Sequence, residues 1–312
     1  MGIKEKMLIT GVSGLLGNNL AYSLKDTYDI LGLYNSYPVT IKGIYTEKCE
    51  LLYPYVIKRI ISEYGPQVII HCASLASVDK CEVDKSTAKK INVDATKNIV
   101  EDVIDMDVKL IYISTDAVYD GVKGNFSEDD NINPQNHYGV TKYEGELEVR
   151  KKENSLILRT NLFGWNIQDK KSLGEWILES LKAKQKINGF EDVYFSSIYT
   201  MELARIIDMA IRKNLTGVYN CGSSDSCSKY EFALKIADCF GLDKALVTPI
   251  SIDDFNFKAK RGKNLTLNVS KLQKALDYKL PTIDQSIKAF HRDSESILLG
   301  KGNIDHPSII TS

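Results

Sequence analysis

Five short apolar runs alternating with stretches of helical periodicity dictate the fold of the amino-terminal half of this chain. They are KMLIT, then 14 to 26; YDILGLY, then 53 to 64; QVIIHC, then 86 to 104; VKLIYIS, then 138 to 151; and SLILRT. Strands separated by helices pair in parallel, with the helices on both faces of the sheet. The runs are apolar almost throughout, as strands covered on both sides must be. Turn residues punctuate them, at Gly65-Pro66 and Asn133-Pro134. The predicted class is α/β, a doubly wound parallel sheet with a smaller α/β carboxy-terminal lobe.

Beyond Trp165 the regularity weakens. Helical patterns cover about 171 to 183, 199 to 213, 228 to 240 and 283 to 292, with strand-like VYFSSIY and VYNCG between them. This predicts a dinucleotide-binding domain over 1–164 plus roughly 196–220. A substrate lobe takes roughly 165–195 and 221–292, and 293–312 form a tail without period.

Forty basic against forty-one acidic side chains leave a net charge of -1, so no global field attracts nucleic acid or an anionic bilayer. No apolar run reaches the roughly 18 residues of a membrane span, and MGIKEKMLITG carries no cleavable signal pattern. The expectation is a cytoplasmic protein. The six cysteines have neither CxxC spacing nor histidine partners, so reduced thiols and no metal site are expected.

Directly after the first strand, GVSGLLG sets Gly11, Gly14 and Gly17 at the mouth of a helix. Bare backbone amides and the positive end of a helix suit a dinucleotide pyrophosphate. The second strand ends Tyr34-Asn35-Ser36, with neither a carboxylate for a ribose diol nor an arginine for a 2′-phosphate. Lacking a carboxylate to repel that phosphate, the site is expected to take NADPH ahead of NADH. Lys42 reads as a surface lysine. Cys49-Glu50-Leu51, after the third short strand, is expected to border the adenine.

Two Tyr-x-x-x-Lys pairs occur. Tyr119 and Lys123 enclose Asp120-Gly121, a turn, so their side chains do not share a helix face. Tyr138 and Lys142 begin a helix and point the same way. The ammonium is expected to lower the phenol from about 10, making it a better proton donor near neutral pH. Ser114, Thr115 and Asp116 lie at the carboxyl end of a buried strand, the edge where open α/β sheets bind ligands. Thr115 is placed to donate a hydrogen bond to a substrate carbonyl.

Together GVSGLLG, HCAS, NVDATKN, STDAVYDG, YGVTK and RTNLFG resemble the extended short-chain dehydrogenase/reductases, which share a Rossmann-type fold. STDAVYDG, NPQNHYGVTKYEGE and RGKNLTLNVSKL are most similar to the dTDP-4-dehydrorhamnose reductases. The resemblance implies Tyr138 as proton donor, Thr115 as its companion on the carbonyl, and Lys142 holding the nicotinamide ribose, with Asn92 supporting that lysine. It implies a cofactor site of Gly11, Ser13, Gly14, Leu15, Leu16, Gly17, Asn35, Ser36, Glu50, Leu51, Cys72, Ala73, Ser74, Asn92, Tyr138 and Lys142. It implies substrate contacts from Ser74, Asp116, Asn161 and Arg261, a nucleotide-sugar substrate, and a homodimer.

Departures from the pattern bear on the activity and on the sugar pocket. Asp116-Ala117 stands where 4,6-dehydratases have Asp-Glu, and Thr160-Asn161-Leu162 where the rhamnose-pathway reductases have Thr-Ser-Trp. The expected function is NAD(P)H-dependent reduction of the 4-keto group of a nucleotide-linked deoxysugar. Two alternatives stand beside it: a sugar-nucleotide epimerase using NAD catalytically, and a non-catalytic NADP-binding regulatory subunit.

Overall fold

The computed structural model describes residues 3–168 and 170–294. In chain order the first half runs β1 (Lys6–Thr10), α1 (Leu15–Leu24), β2 (Asp29–Tyr34), β3 (Tyr45–Lys48), α2 (Pro54–Tyr64), β4 (Val68–His71), α3 (Val78–Val83), α4 (Lys85–Lys89), a π-helical turn (Lys90–Asp94), α5 (Ala95–Val103), β5 (Lys109–Thr115), α6 (His137–Val149) and β6 (Ser155–Thr160). The second half runs β7 (Leu162–Phe163), α7 (Leu173–Lys182), β8 (Ile187–Phe190), β9 (Tyr194–Phe195), β10 (Ile198–Tyr199), α8 (Thr200–Arg212), β11 (Gly217–Cys221), β12 (Cys227–Ser228), α9 (Lys229–Cys239), β13 (Val247–Ile250), α10 (Ser270–Leu276) and α11 (Ile283–Arg292).

Seven parallel strands form one sheet in the order β11-β6-β5-β4-β1-β2-β3, the doubly wound Rossmann arrangement with its topological switch between β1 and β4. Period-2 alternation sends successive side chains to opposite faces. Met7, Ile9, Ile70, Ile111 and Leu158 join the core under α1 and α8, while Leu8, Ile69, Leu110 and Ile157 join the core under α2 and α5. A third cluster, centred on Phe163, Phe232 and Phe290, is shared by α7, α9 and α11. Trp165 belongs to it, stacking on Phe290 at 4.1 Å and donating to its carbonyl at 2.9 Å.

The chain leaves the sheet after β6, builds part of this third cluster, and returns through β11, which pairs with β6 from Gly217↔Leu156 to Cys221↔Thr160. VYFSSIY is not one strand. Its ends form β9, paired with β12, and β10, paired with β7.

The helix expected over 86 to 104 is interrupted by the π-helical turn. Its extra residue aims Asn92 inward, where the side chain accepts from Leu75 N (2.8 Å) and donates to Thr141 Oγ1 (3.0 Å). Such bulges recur at functional sites because they redirect one side chain without ending the helix. Of the expected tail, 295–312 lie outside the described residues; Asp293 and Ser294 close α11.

Candidate active site

At the carboxyl ends of β1, β4 and β5, on both sides of the switch point, lies a cleft of about 870 Å³. Its first wall is the glycine turn. Gly11 has φ +69°, and a Cβ there would stand 2.8 Å from the Ala73 backbone. A Cβ on Gly17 would collide with Gly11 O, whereas one on Gly14 would meet only that oxygen, at 3.2 Å. Gly11 and Gly17 therefore serve the turn, and Gly14 leaves space on the cleft side. Gly14 caps α1 without a side-chain hydrogen bond, and the first turn carries no acidic residue. The amides of that turn face the cleft with the positive end of the helix behind them, which fits a pyrophosphate.

Ser13, Leu15 and Leu16 continue this wall, and Asn35, Ser36, Glu50 and Leu51 form its far end. The Asn35 amide donates to Glu50 Oε2 at 2.7 Å. A carboxylate thus reaches the end of β2 from the neighbouring segment, which the expectation of no acidic group there did not foresee. Lys42 is exposed and lies outside the lining. Cys72, Ala73 and Ser74 line the floor after β4.

Deeper in, Thr115 and Asp116 end β5 and open a 3-10 turn. The α6 helix begins beside them because Asn136 caps it, accepting from Gly139 N at 2.9 Å. That places Tyr138 at the cleft and Lys142 one turn further, on the same face. Tyr138 lines the cleft beside Thr115. Lys142 is 2% exposed and Asn92 1%; both lie behind the lining. Asn92 braces the α6 helix through Thr141, next to the lysine, and the Leu75 backbone.

The electrostatics differ from expectation at the tyrosine. Burial pushes the Tyr138 phenol well above its ordinary value, the neighbouring Thr115 hydroxyl opposing it in part, and Lys142 does not offset the rise. Burial instead draws the lysine down to about 7, against the opposing pull of Glu146 and Cys72. Burial also raises Asp116 to about 6, although Asn161 and Thr115 donate to it. Those donors are the Asn161 amide to Oδ2 at 2.9 Å and Thr115 Oγ1 to Oδ1 at 3.1 Å. The Thr115 hydrogen is thereby directed to Asp116.

Behind the site, Glu146 accepts from Arg159 Nε (2.9 Å) and Nη2 (2.7 Å) and from Ser114 Oγ (2.6 Å). Both ion-pair partners are fully buried. The other Tyr-Lys pair diverges: Tyr119 is buried against Arg159 and Asn220, while Lys123 pairs with Asp130 at the surface.

On the opposite wall Arg261 lines the cleft, but its guanidinium is held by Asp79 (2.9 Å) and lies 3.6 Å over the Phe257 ring. Lys229, unmarked by any motif, also lines this wall. One signal in the sequence was available. SKYE is a capping box, and its first helical position holds a cation at the positive end of a helix, where cations are disfavoured.

A family model described as the RmlD substrate binding domain matches residues 5–296. The chain is 31% identical over 285 residues to methionine adenosyltransferase 2 subunit beta of Danio rerio, covering 86% of this chain and 84% of that one. It is 30% identical over 287 residues to dTDP-4-dehydrorhamnose reductase of Aggregatibacter actinomycetemcomitans, covering 86% and 92%. The structure of dTDP-4-dehydrorhamnose reductase from Bacillus anthracis str. Ames in complex with NADP matches with a TM-score of 0.83 at 27% identity, over 93% of this chain and 100% of that one.

Proposed function

This chain belongs to the RmlD substrate binding domain family, and we propose that it is an NAD(P)H-dependent reductase of the 4-keto group of a nucleotide-linked deoxysugar. The observation that carries this reading is the placing of Tyr138 and Thr115 together on the lining of one cleft, with the glycine turn on one side and Asp116, Asn161 and Lys229 on the other.

The dinucleotide fits the residues present: Gly14 leaves room beside uncapped amides, and Lys142 is a buried ammonium that donates no hydrogen bond among the described residues. When bound, the nicotinamide supplies the hydride. Tyr138 gives its proton to the oxygen of the reduced carbonyl. Its raised affinity for that proton keeps it loaded at neutral pH. Lys142, held behind the tyrosine, takes the ribose hydroxyls and stabilises the tyrosinate left after transfer. Thr115 orients the phenol, and its own hydrogen turns to the carbonyl oxygen once Asp116 releases it. Asp116-Ala117 lacks the second acid of a dehydratase.

The test is oxidation of NADPH and NADH against a panel of nucleotide-linked 4-keto-6-deoxysugars, with Tyr138→Phe alongside. Turnover lowered by about 10²-fold or more in the variant, with cofactor affinity retained, is expected. A second reading rests on the 31% identity to methionine adenosyltransferase 2 subunit beta: a cofactor-bound subunit of a larger enzyme. NADPH binding without reduction of any panel member, together with a stable complex with a methionine adenosyltransferase, would favour it.

A further inference from the structure

Lys229 sits where three electrostatic effects oppose its charge. Burial disfavours the ammonium, the Arg261 guanidinium repels it, and only Asp116 attracts it. It is also the first residue of α9, at the positive end of an 11-residue helix. The backbone holds it there: Lys229 N donates to Val193 O at 2.9 Å, fixing the residue to the cleft wall. The helix end is itself satisfied, since Ser228 Oγ accepts from Glu231 N (3.0 Å) and Glu231 returns the bond to Ser228 N (2.8 Å). The lysine side chain, not the helix terminus, is what faces the cleft with donors to give. Among the described residues its ammonium donates no hydrogen bond and forms no ion pair.

Arg261 contrasts with it. Both terminal nitrogens are engaged, by Asp79 (2.9 and 3.3 Å) and Ala259 O (3.1 Å), and Phe257 covers its face. It contributes positive potential to this wall with its hydrogen bonds already committed. A cation set against local preference in a ligand-sized cleft is stabilised by an incoming anion. The dinucleotide's phosphates have their own cradle across the cleft, at Gly14. Lys229 is close enough to Asp116, next to Thr115, for their charges to interact. An anion held by Lys229 therefore shares the cleft with Thr115 and Asp116.

We propose that Lys229 binds the diphosphate of a nucleotide-linked substrate, its field reinforced by Arg261, which Asp79 holds in place. This deepens the reductase reading, on which it rests for the identity of the ligand.

The experiment is calorimetric titration of the full-length protein, without turnover, with thymidine diphosphate and in parallel uridine diphosphate. The natural protein is compared with Lys229→Met, which keeps the apolar stem, Lys229→Arg, which keeps the charge, and Lys271→Met, a cation over Tyr219 outside the cleft lining. NADPH affinity and the melting temperature report on the fold of each variant. The expected result is nucleoside diphosphate binding weakened about 10- to 100-fold in Lys229→Met. Lys229→Arg should stay within a few fold of the natural protein, Lys271→Met should be unchanged, and NADPH binding should be equal in all four. A natural protein that binds neither nucleoside diphosphate, or a Lys229→Met variant that binds as tightly, overturns the proposal. Lys229-dependent binding by a protein that oxidises no cofactor sinks the reductase reading while this assignment stands.

Discussion

The Lys142 ammonium lies 3.9 Å from the centre of the Tyr112 ring. The contact is a cation-π interaction with a phenol buried at the sheet. The fold holds this charge against an aromatic face.

Lys142→Met is expected to raise the melting temperature of the ligand-free protein while abolishing reduction, because the cost of burying the ammonium outweighs the attractions it finds in the fold. The pH dependence has a definite sign. The lysine titrates near 7 in the fold against an ordinary 10.5, so between those values the unfolded chain binds more protons and stability rises with pH. The variant's advantage is full below pH 7 and shrinks toward pH 10. Melting curves across that range check it; an advantage independent of pH contradicts the assignment.

Gly14→Ala separates fold from cofactor binding. The added methyl meets only Gly11 O, at 3.2 Å, and the residue has φ -81°, so stability should change little. A Cβ there intrudes where a pyrophosphate approaches. NADPH affinity should fall about tenfold or more, near 1.4 kcal/mol, as read by fluorescence titration.

Arg159→Met removes the buried partner of Glu146, leaving the carboxylate to the Ser114 hydroxyl and the half-exposed Arg150 guanidinium at 3.5 Å. Truncating one partner of a buried ion pair costs about 3 to 5 kcal/mol, so denaturant midpoints should drop sharply. Combining it with Glu146→Gln should recover part of the loss, because no bare charge then remains; a double variant less stable than the single one would rule out this account.

How much of this was legible beforehand varies with the physics involved. The doubly wound sheet was, because burial on both faces writes uninterrupted apolar strands and leaves the helices their own period. The glycine turn was, since Gly11 and Gly17 lie where a Cβ meets backbone. The bulge at Asn92 was not, because a π-helical turn is fixed by tertiary hydrogen bonds to Leu75 and Thr141 that have no local signature. The pairing of β8 with β13 joins residues about sixty apart in sequence, and no short pattern announces it. The direction of the Tyr138 shift was missed for a related reason: spacing along a helix reveals that a cation is near, while the depth of burial that outweighs it is a property of the assembled cleft. Lys229 needed the fold to bring it opposite Thr115.

Asp116→Asn tests the buried carboxyl. Asp116 rises from an ordinary 3.8 to about 6, so the fold binds more protons than the unfolded chain between those values. Its contribution to stability is present below pH 4 and is lost as pH climbs through 6. The variant should lack that downward slope in equilibrium unfolding measured from pH 4 to 7, and a slope that survives the substitution would point to another group.

The return of the chain through β11 makes the carboxy-terminal cluster an inset in the sheet rather than an appendage to it. Exchanging this region for that of a relative means exchanging three stretches of chain, because α10 as well as α8 and β11 return to the first core between them. A fragment ended after Phe163 would present β6 as a bare lateral edge of unpaired amides and carbonyls, open to joining another chain. Inset and framework are stitched together in this protein, and neither can be inherited alone.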